Sequence, residues 1–238
     1  VIAYICMFTF GLIETIKGAI IPSIRAEFLV DYMHIGQMLF LSSLGYLVTT
    51  FFGGIAIQKY GLKKILIFGV SVVVTSTGLF SITSSFYGVV GAYLLLGAGL
   101  GCFEGINTLA GKIFVKNQAM MMNLMHFFFG VGASIAPRYA GAFIKGNYSW
   151  KSIYLPIMII MLVVLVIILF TKFPEISIDS RGETLPFKKL IKSSKIWLIS
   201  FTLGFFVIFE LGITNWLVNY LQVTRSLDVI SSTTYLTG

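Results

Sequence analysis

Residues 153–171 read IYLPIMIIMLVVLVIILFT, a run without a charge, closed by Lys151 on one side and Lys172 on the other. At about 1.5 Å of rise per residue, a helix of that length crosses the roughly 30 Å hydrocarbon core of a bilayer. An amphipathic helix on a soluble core keeps a polar face, and this run has none. The stretch therefore decides the class: a membrane-spanning helix. Similar runs precede it at about Ala3–Ile24, His34–Ile57, Ile65–Ile82, Tyr87–Leu109 and Met120–Ile144. Another follows at about Ile196–Leu221, and an eighth begins near Ser231 before the sequence ends at Gly238. Composition agrees: 57% of residues are hydrophobic and 11% charged, against about 25% charged in soluble domains. Short alternating strands, the mark of a membrane barrel, do not occur.

The expected fold is an all-α membrane bundle. Residues 1–171 form an amino-terminal six-helix bundle and 172–195 a polar cytoplasmic linker. Residues 196–238 open a second bundle with helix 7 and the start of helix 8. The linker holds the longest polar stretch, and its part from Leu185 to Lys195 fits a short amphipathic helix on the membrane face. The first run lacks a basic n-region and a small-residue cleavage site, so no removable signal peptide is expected.

The formal net charge is +8. The basic residues lie between spans, which points to topology rather than to nucleic acid. With the amino terminus placed inside, eleven of the 17 Lys and Arg fall on the cytoplasmic side, four outside and two within spans. The expectation is a multi-pass protein of the cytoplasmic (plasma) membrane, working as a monomer with the lipid bilayer around it. Cys6 and Cys102 sit in apolar runs and imply no disulfide framework. No H-E-x-x-H, G-x-S-x-G or phosphate loop is present, and two histidines leave little for a metal site, so an enzyme is a poor fit.

Carboxylates inside spans carry the functional signal. Glu14, Glu104 and Glu210 fall in the first, fourth and seventh spans. Each costs several kcal/mol in hydrocarbon unless it faces water, a partner or a substrate, about 2.5–3.5 on insertion scales. One carboxylate in every third helix suggests one cavity built from those helices. Glu104 and Asn107 share a helix face, either as proton carrier and hydroxyl ligand or as interhelical glue. Glu14 and Lys17 are also three apart, as a structural ion pair or as a gated one. Asn215 and Asn219 are candidate substrate contacts. Trp216 and Tyr220 could stack on a ligand or belong to the interfacial belt. His126 is equally a core histidine or a ligand contact. Glycines at 97, 99, 101 and 105, and at 130, 132 and 141, suggest close helix packing.

The turn after the second span runs Gly53-Gly54-Ile55-Ala56-Ile57-Gln58-Lys59-Tyr60-Gly61-Leu62-Lys63-Lys64. It resembles the signature loop of the major facilitator superfamily, Gly-x3-Asp-Arg/Lys-x-Gly-x-Arg/Lys-Arg/Lys. It matches at Gly54, Lys59, Gly61, Lys63 and Lys64, and departs at Gln58, where the family has Asp. That departure implies an inner-face charge lock weakened or replaced by a neutral hydrogen bond. Gly130 through Pro137 to Gly141 resembles the glycine–proline motif of the superfamily's fifth helix, and Trp150-Lys151 its entry to the sixth. Within the superfamily, Gly99-Leu100-Gly101-Cys102-Phe103-Glu104-Gly105-Ile106-Asn107 is similar to the fourth helix of fucose–proton symporter-like sugar transporters.

The resemblance implies the first half, plus helix 7, of a twelve-helix secondary transporter. It implies a monosaccharide substrate, a coupling proton or sodium ion and no other cofactor, with Glu104 taking the coupling role. A drug or lipid exporter of the same fold and a non-transporting membrane sensor or scaffold are the rivals.

Overall fold

The computed structural model describes residues 2–103, 105, 117–173 and 192–237, and in them the chain is helical. The helices are α1 (Ile2–Phe28), α2 (Tyr32–Tyr60), α3 (Leu62–Ile82), α4 (Phe86–Gly101), α5 (Gln118–Lys145), α6 (Tyr154–Phe170), α7 (Ser194–Arg225) and α8 (Val229–Thr237). A single 3-10 turn, Trp150–Ile153, leads into α6. Six of these segments are long and apolar enough to cross a membrane; α4 is shorter among the described residues. The second half of the expected fourth span and most of the linker lie outside the described residues.

Local chemistry sets the helix ends. The Asp31 carboxylate accepts the His34 N–H at 3.0 Å and caps α2, a group the first helical turn would otherwise leave unsatisfied. Asp228 likewise accepts the Ile230 and Ser231 N–H groups at 2.9 and 3.1 Å and starts α8. Gly61 takes φ 84° between α2 and α3 and returns its N–H to the Ile57 carbonyl, a conformation that costs glycine little. Several helices run two to four residues past the sequence reading, as α2 does to Tyr60 and α7 to Arg225. Residues 25–28, expected in a loop, continue α1. Helix α8 starts at Val229 rather than Ser231 because the cap is Asp228.

Helix α1 is the axis of the bundle, packed on α5 and α7 and touching α6; α4 packs on α2 and α3, and α3 on α6. Apolar burial does not drive this inside lipid, so the backbones must fit. They meet at glycine. A Cβ at Gly132 would strike the Phe8 carbonyl, and one at Gly11 the Phe129 carbonyl, so α1 and α5 touch backbone to backbone. Gly97 meets Ser42 and Gly45 meets Leu94 across α2 and α4 in the same way. Gly130 is an exception to the expectation: nothing lies within 4 Å of its missing side chain.

At one end, Glu27 accepts from Trp150 Nε1 and from Lys151 Nζ, both at 2.6 Å. Lys151 also donates to the Thr83 carbonyl at 3.0 Å. This clamp ties α1, the α3–α4 turn and the entry to α6, and explains the Trp-Lys pair found in the sequence. Helix α7 contacts α1 and α8, and α8 rests on α5. Among the described residues, 194–210 of α7 are exposed throughout, whereas Asn215, Val218 and Asn219 are buried. Helix α7 therefore packs on the earlier helices towards the Glu27 end.

Candidate functional site

Among the described residues, Lys17 is the buried charge, 4% exposed. Its ammonium lies 2.7 Å from Glu14 Oε2 and donates to Ser42 Oγ at 3.2 Å. A helix brings residues three apart onto one face, and the α2–α4 contact at Gly97 and Ser42 holds the hydroxyl in place. A buried cation is tolerated only when paired and hydrogen-bonded, and Lys17 has both. The pair is thus an ion pair within one helix, and it also faces open space. Phe10, Tyr46, Phe129 and Leu211 surround it in a cavity of about 400 Å³.

Glu14 stands on a wall between two spaces. A second cavity, of about 210 Å³, is lined by Glu14, Ser134, Glu210 and Thr214. The fold therefore places Glu14 of α1 and Glu210 of α7 on one cavity. Glu210 makes no hydrogen bond or ion pair among the described residues, in contrast to Glu14. Glu104 and Asn107 lie outside the described residues.

The α7 asparagines sit towards the Glu27 end. Asn219 Nδ2 donates to Tyr32 Oη at 3.3 Å. The Oδ1 atoms of Asn215 and Asn219 are buried without a partner among the described residues. Trp216 meets Tyr32 edge to face at 5.9 Å between centroids, and the Arg25 guanidinium lies 3.7 Å over the same ring. Trp216 is thus part of an α1–α2–α7 closure around Tyr32 and does not line the cavities of Glu14. Tyr220 is exposed. His126 is exposed too among the described residues; it lies on one face of α5 with Gly130 and Ser134, at four-residue spacing.

The loop between α2 and α3 is built as its motif requires at Gly61, and differs at its charges. Lys63 Nζ donates to the Leu169 carbonyl at 2.8 Å, where a cation satisfies the open end of α6. Lys59 lies 5.1 Å over the Tyr60 ring. Gly54, Gln58 and Lys64 are exposed. None of the three loop lysines pairs with a carboxylate among the described residues. With Gln58 in place of Asp, a lysine here meets carbonyl or ring rather than an anion.

Outside the spans, the backbone N–H of His34 holds the Asp31 carboxyl below the usual carboxylate range. The Ser231 hydroxyl and N–H do the same for Asp228. No group of three or more His, Cys, Asp or Glu able to hold a metal occurs among the described residues, and both cysteines are buried and free. The sequence reading missed Ser42, Tyr46, Phe10 and Phe129. Ser42 and Tyr46 stand four apart on α2, a signal too weak to separate from ordinary packing.

Residues 3–238 match the family described as Major Facilitator Superfamily. A glucose/mannose transporter of Bacillus subtilis, GlcP, is 27% identical over 231 residues, which are 92% of this chain and 56% of that protein. A TsgA homolog of Buchnera aphidicola is 25% identical over 88% of this chain and 54% of its own length. The chain thus spans about half the length of these relatives. The crystal structure of a D-xylose–proton symporter superposes with a TM-score of 0.73 at 13% identity, covering 99% of this chain and 64% of that one. At that identity the likeness is one of fold.

Proposed function

The chain belongs to the major facilitator superfamily, and on that premise we propose that it forms the first half, with helices 7 and 8, of a secondary transporter. The transporter imports a monosaccharide with a proton or sodium ion by alternating access around a midplane site. The observation that carries this reading is the buried Lys17–Glu14 pair opening into a cavity beside Glu210. GlcP supports the substrate class, since it bears the name of a glucose/mannose transporter.

Glu14 is committed as the counterion of Lys17, so a proton arriving there would cost the ion pair. The coupling role falls to Glu104, with Glu210 as the second carboxylate and no other cofactor. The larger cavity holds hydroxyl and ammonium donors at Ser42 and Lys17, and the smaller one Glu210, with Glu14 a carboxylate acceptor in both. Asn107, Asn215 and His126 are further candidate polar contacts in this reading. Aromatic walls at Phe10, Tyr46 and Phe129 suit the C–H face of a sugar ring. The linker, 172–195, faces the cytoplasm in this proposal, and the shape closed at Tyr32 is then the inward-facing one. Substrate can shift such an equilibrium only by its differential affinity for the two states.

Uptake of a monosaccharide panel into proteoliposomes by the full-length protein tests this, under an imposed proton gradient and with sodium varied. Saturable accumulation of one sugar, abolished in Glu104→Gln, is the expected result. Flux without accumulation, or accumulation intact in Glu104→Gln, overturns the coupling assignment. One observation favours an exporter of apolar compounds instead: Phe10, Tyr46, Leu47, Phe129, Val207 and Leu211 make most of the larger cavity apolar. Inhibition by many unrelated amphiphiles, with no sugar flux under either gradient, would decide for it.

A further inference from the structure

Arg138 lies within an apolar span and is exposed. It sits beside Pro137, seven residues before Lys145, the last residue of α5, hence about 10 Å of helix rise inside that end. No carboxylate pairs with it among the described residues. A guanidinium at such depth is expensive without an anion. The site it faces is built by both halves of the molecule. A groove of about 470 Å³ between α5 and α8 is lined by Arg138, Ile230, Ser231, Thr234 and Tyr235.

The groove is separate from the cavities of Glu14. Helices α5 and α8 touch where Thr233 packs on Gly141. Leu236 lines the Glu210 cavity, whereas Ile230 and Thr234 line the Arg138 groove, and no residue lines both. The polar atoms of the groove are mostly occupied. The Ser231 hydroxyl donates to Asp228 Oδ2 at 2.6 Å and the Thr234 hydroxyl to the Ile230 carbonyl at 2.7 Å. The Asp228 carboxylate caps α8 and does not reach Arg138. What remains to meet a ligand is the guanidinium, with five N–H donors and no acceptor, and the exposed Tyr235 hydroxyl.

We propose that the Arg138 groove holds the phosphate of an anionic lipid headgroup, from the leaflet on the side of the Lys145–Trp150 loop. A planar guanidinium matches a phosphate in a two-point geometry. The groove is lined from Ile230, at the start of α8, to Tyr235, so it runs inward from the helix ends; a headgroup at that end leaves its chains to follow α8 past Thr234 toward the bilayer centre. Because α5 and α8 belong to different halves, the bound lipid wedges their joint, and occupancy changes with the opening of that joint.

The test uses the purified full-length protein. Lipid retained on it is counted by native mass spectrometry, and thermal unfolding is followed with phosphatidylglycerol, phosphatidylcholine or inorganic phosphate added. Phosphatidylglycerol should be retained and should raise the unfolding temperature, with phosphatidylcholine weaker and inorganic phosphate without effect. Arg138→Gln should weaken retention by about tenfold or more, the loss of one charge-assisted contact. Arg138→Lys should retain an intermediate share, and Tyr235→Phe should reduce retention less than Arg138→Gln. Equal retention in wild type and Arg138→Gln overturns the site. An equal shift from inorganic phosphate makes it a free-anion site and overturns the lipid assignment. If Arg138→Gln does not fold, Arg138→Lys and the three-ligand comparison on wild type still decide.

Discussion

Helices α1–α2 and α7–α8 repeat one design, and they treat charge differently. Each long helix ends at a residue with left-handed φ, Leu29 or Ser226, both 52°. Two positions later an aspartate, Asp31 or Asp228, caps the next helix. The same interval separates 29 from 226 and 31 from 228. In that register the counterpart of Glu14 is Leu211 and that of Lys17 is Thr214. Leu211 does line both cavities, as Glu14 does. Glu210 is one position off and turns another way, exposed and unpaired among the described residues. Helix α1 answers a buried charge with a second charge and a hydroxyl. Helix α7 leaves its carboxylate at the edge of a cavity. The inherited frame fixes where helices lie, and single residues decide whether a charge there is structural or available.

The comparison breaks most sharply at Lys17. Lys17→Met strands Glu14 in a site that keeps 24% of that side chain exposed. The expected loss is about 3 kcal/mol, the low end for breaking a buried pair, read as a lower unfolding temperature of the full-length protein. Glu14→Gln combined with Lys17→Met should recover most of it. Glu210→Gln should change stability by less than about 0.5 kcal/mol, as for a group without a partner. Equal losses for Lys17→Met and Glu210→Gln would remove the distinction between the two helices.

Next in size is the α1–α5 seam, which α7 lacks along its linker half. Gly132→Val drives a side chain into the Phe8 carbonyl and should cost about 1–3 kcal/mol or more. Gly130→Ala, two residues away in open space, should leave the unfolding temperature unchanged or slightly raised. If both variants unfold alike, the close approach is not what holds α1 on α5.

The smallest effect sharpens the shared part of the design. Asp31 and Asp228 have carboxyls held below their ordinary range by the N–H groups they accept. A depressed folded-state value contributes stability that is present above the unfolded value, about 3.9. It is lost as pH falls through the folded one. Asp31→Asn keeps a capping oxygen and should flatten the acid limb of the unfolding-temperature profile while changing little at neutral pH. Asp228→Asn should do the same if the two caps are equivalent. A steeper acid limb in either variant would contradict the assignment.

Much of the fold was legible because lipid imposes a one-dimensional rule. A segment that crosses must be apolar over its length, and Ile153–Phe170 announces itself by that alone. The carboxylates at 14 and 210 were legible for the converse reason, since hydrocarbon makes them costly. The ends were less so: the reading stopped α1 at Ile24, but Glu27 reaches Trp150 and Lys151 and keeps the helix going. Which glycines touch a backbone was also hidden, for Gly130 and Gly132 look alike in the string and differ wholly in space.

The sequence by itself determined that the chain spans a membrane in repeated helices, which residues are too polar to face lipid, and that the loop at Gly61 separates two spans. Those follow from residue chemistry over a few neighbours. Only the tertiary structure decided that Lys17 closes on Glu14 and Ser42, that Trp216 belongs to Tyr32, and that Arg138 stands in a groove between α5 and α8. Such pairings depend on the rotation and spacing of helices distant in sequence, and backbone-to-backbone contact sets those, not the apolar pattern.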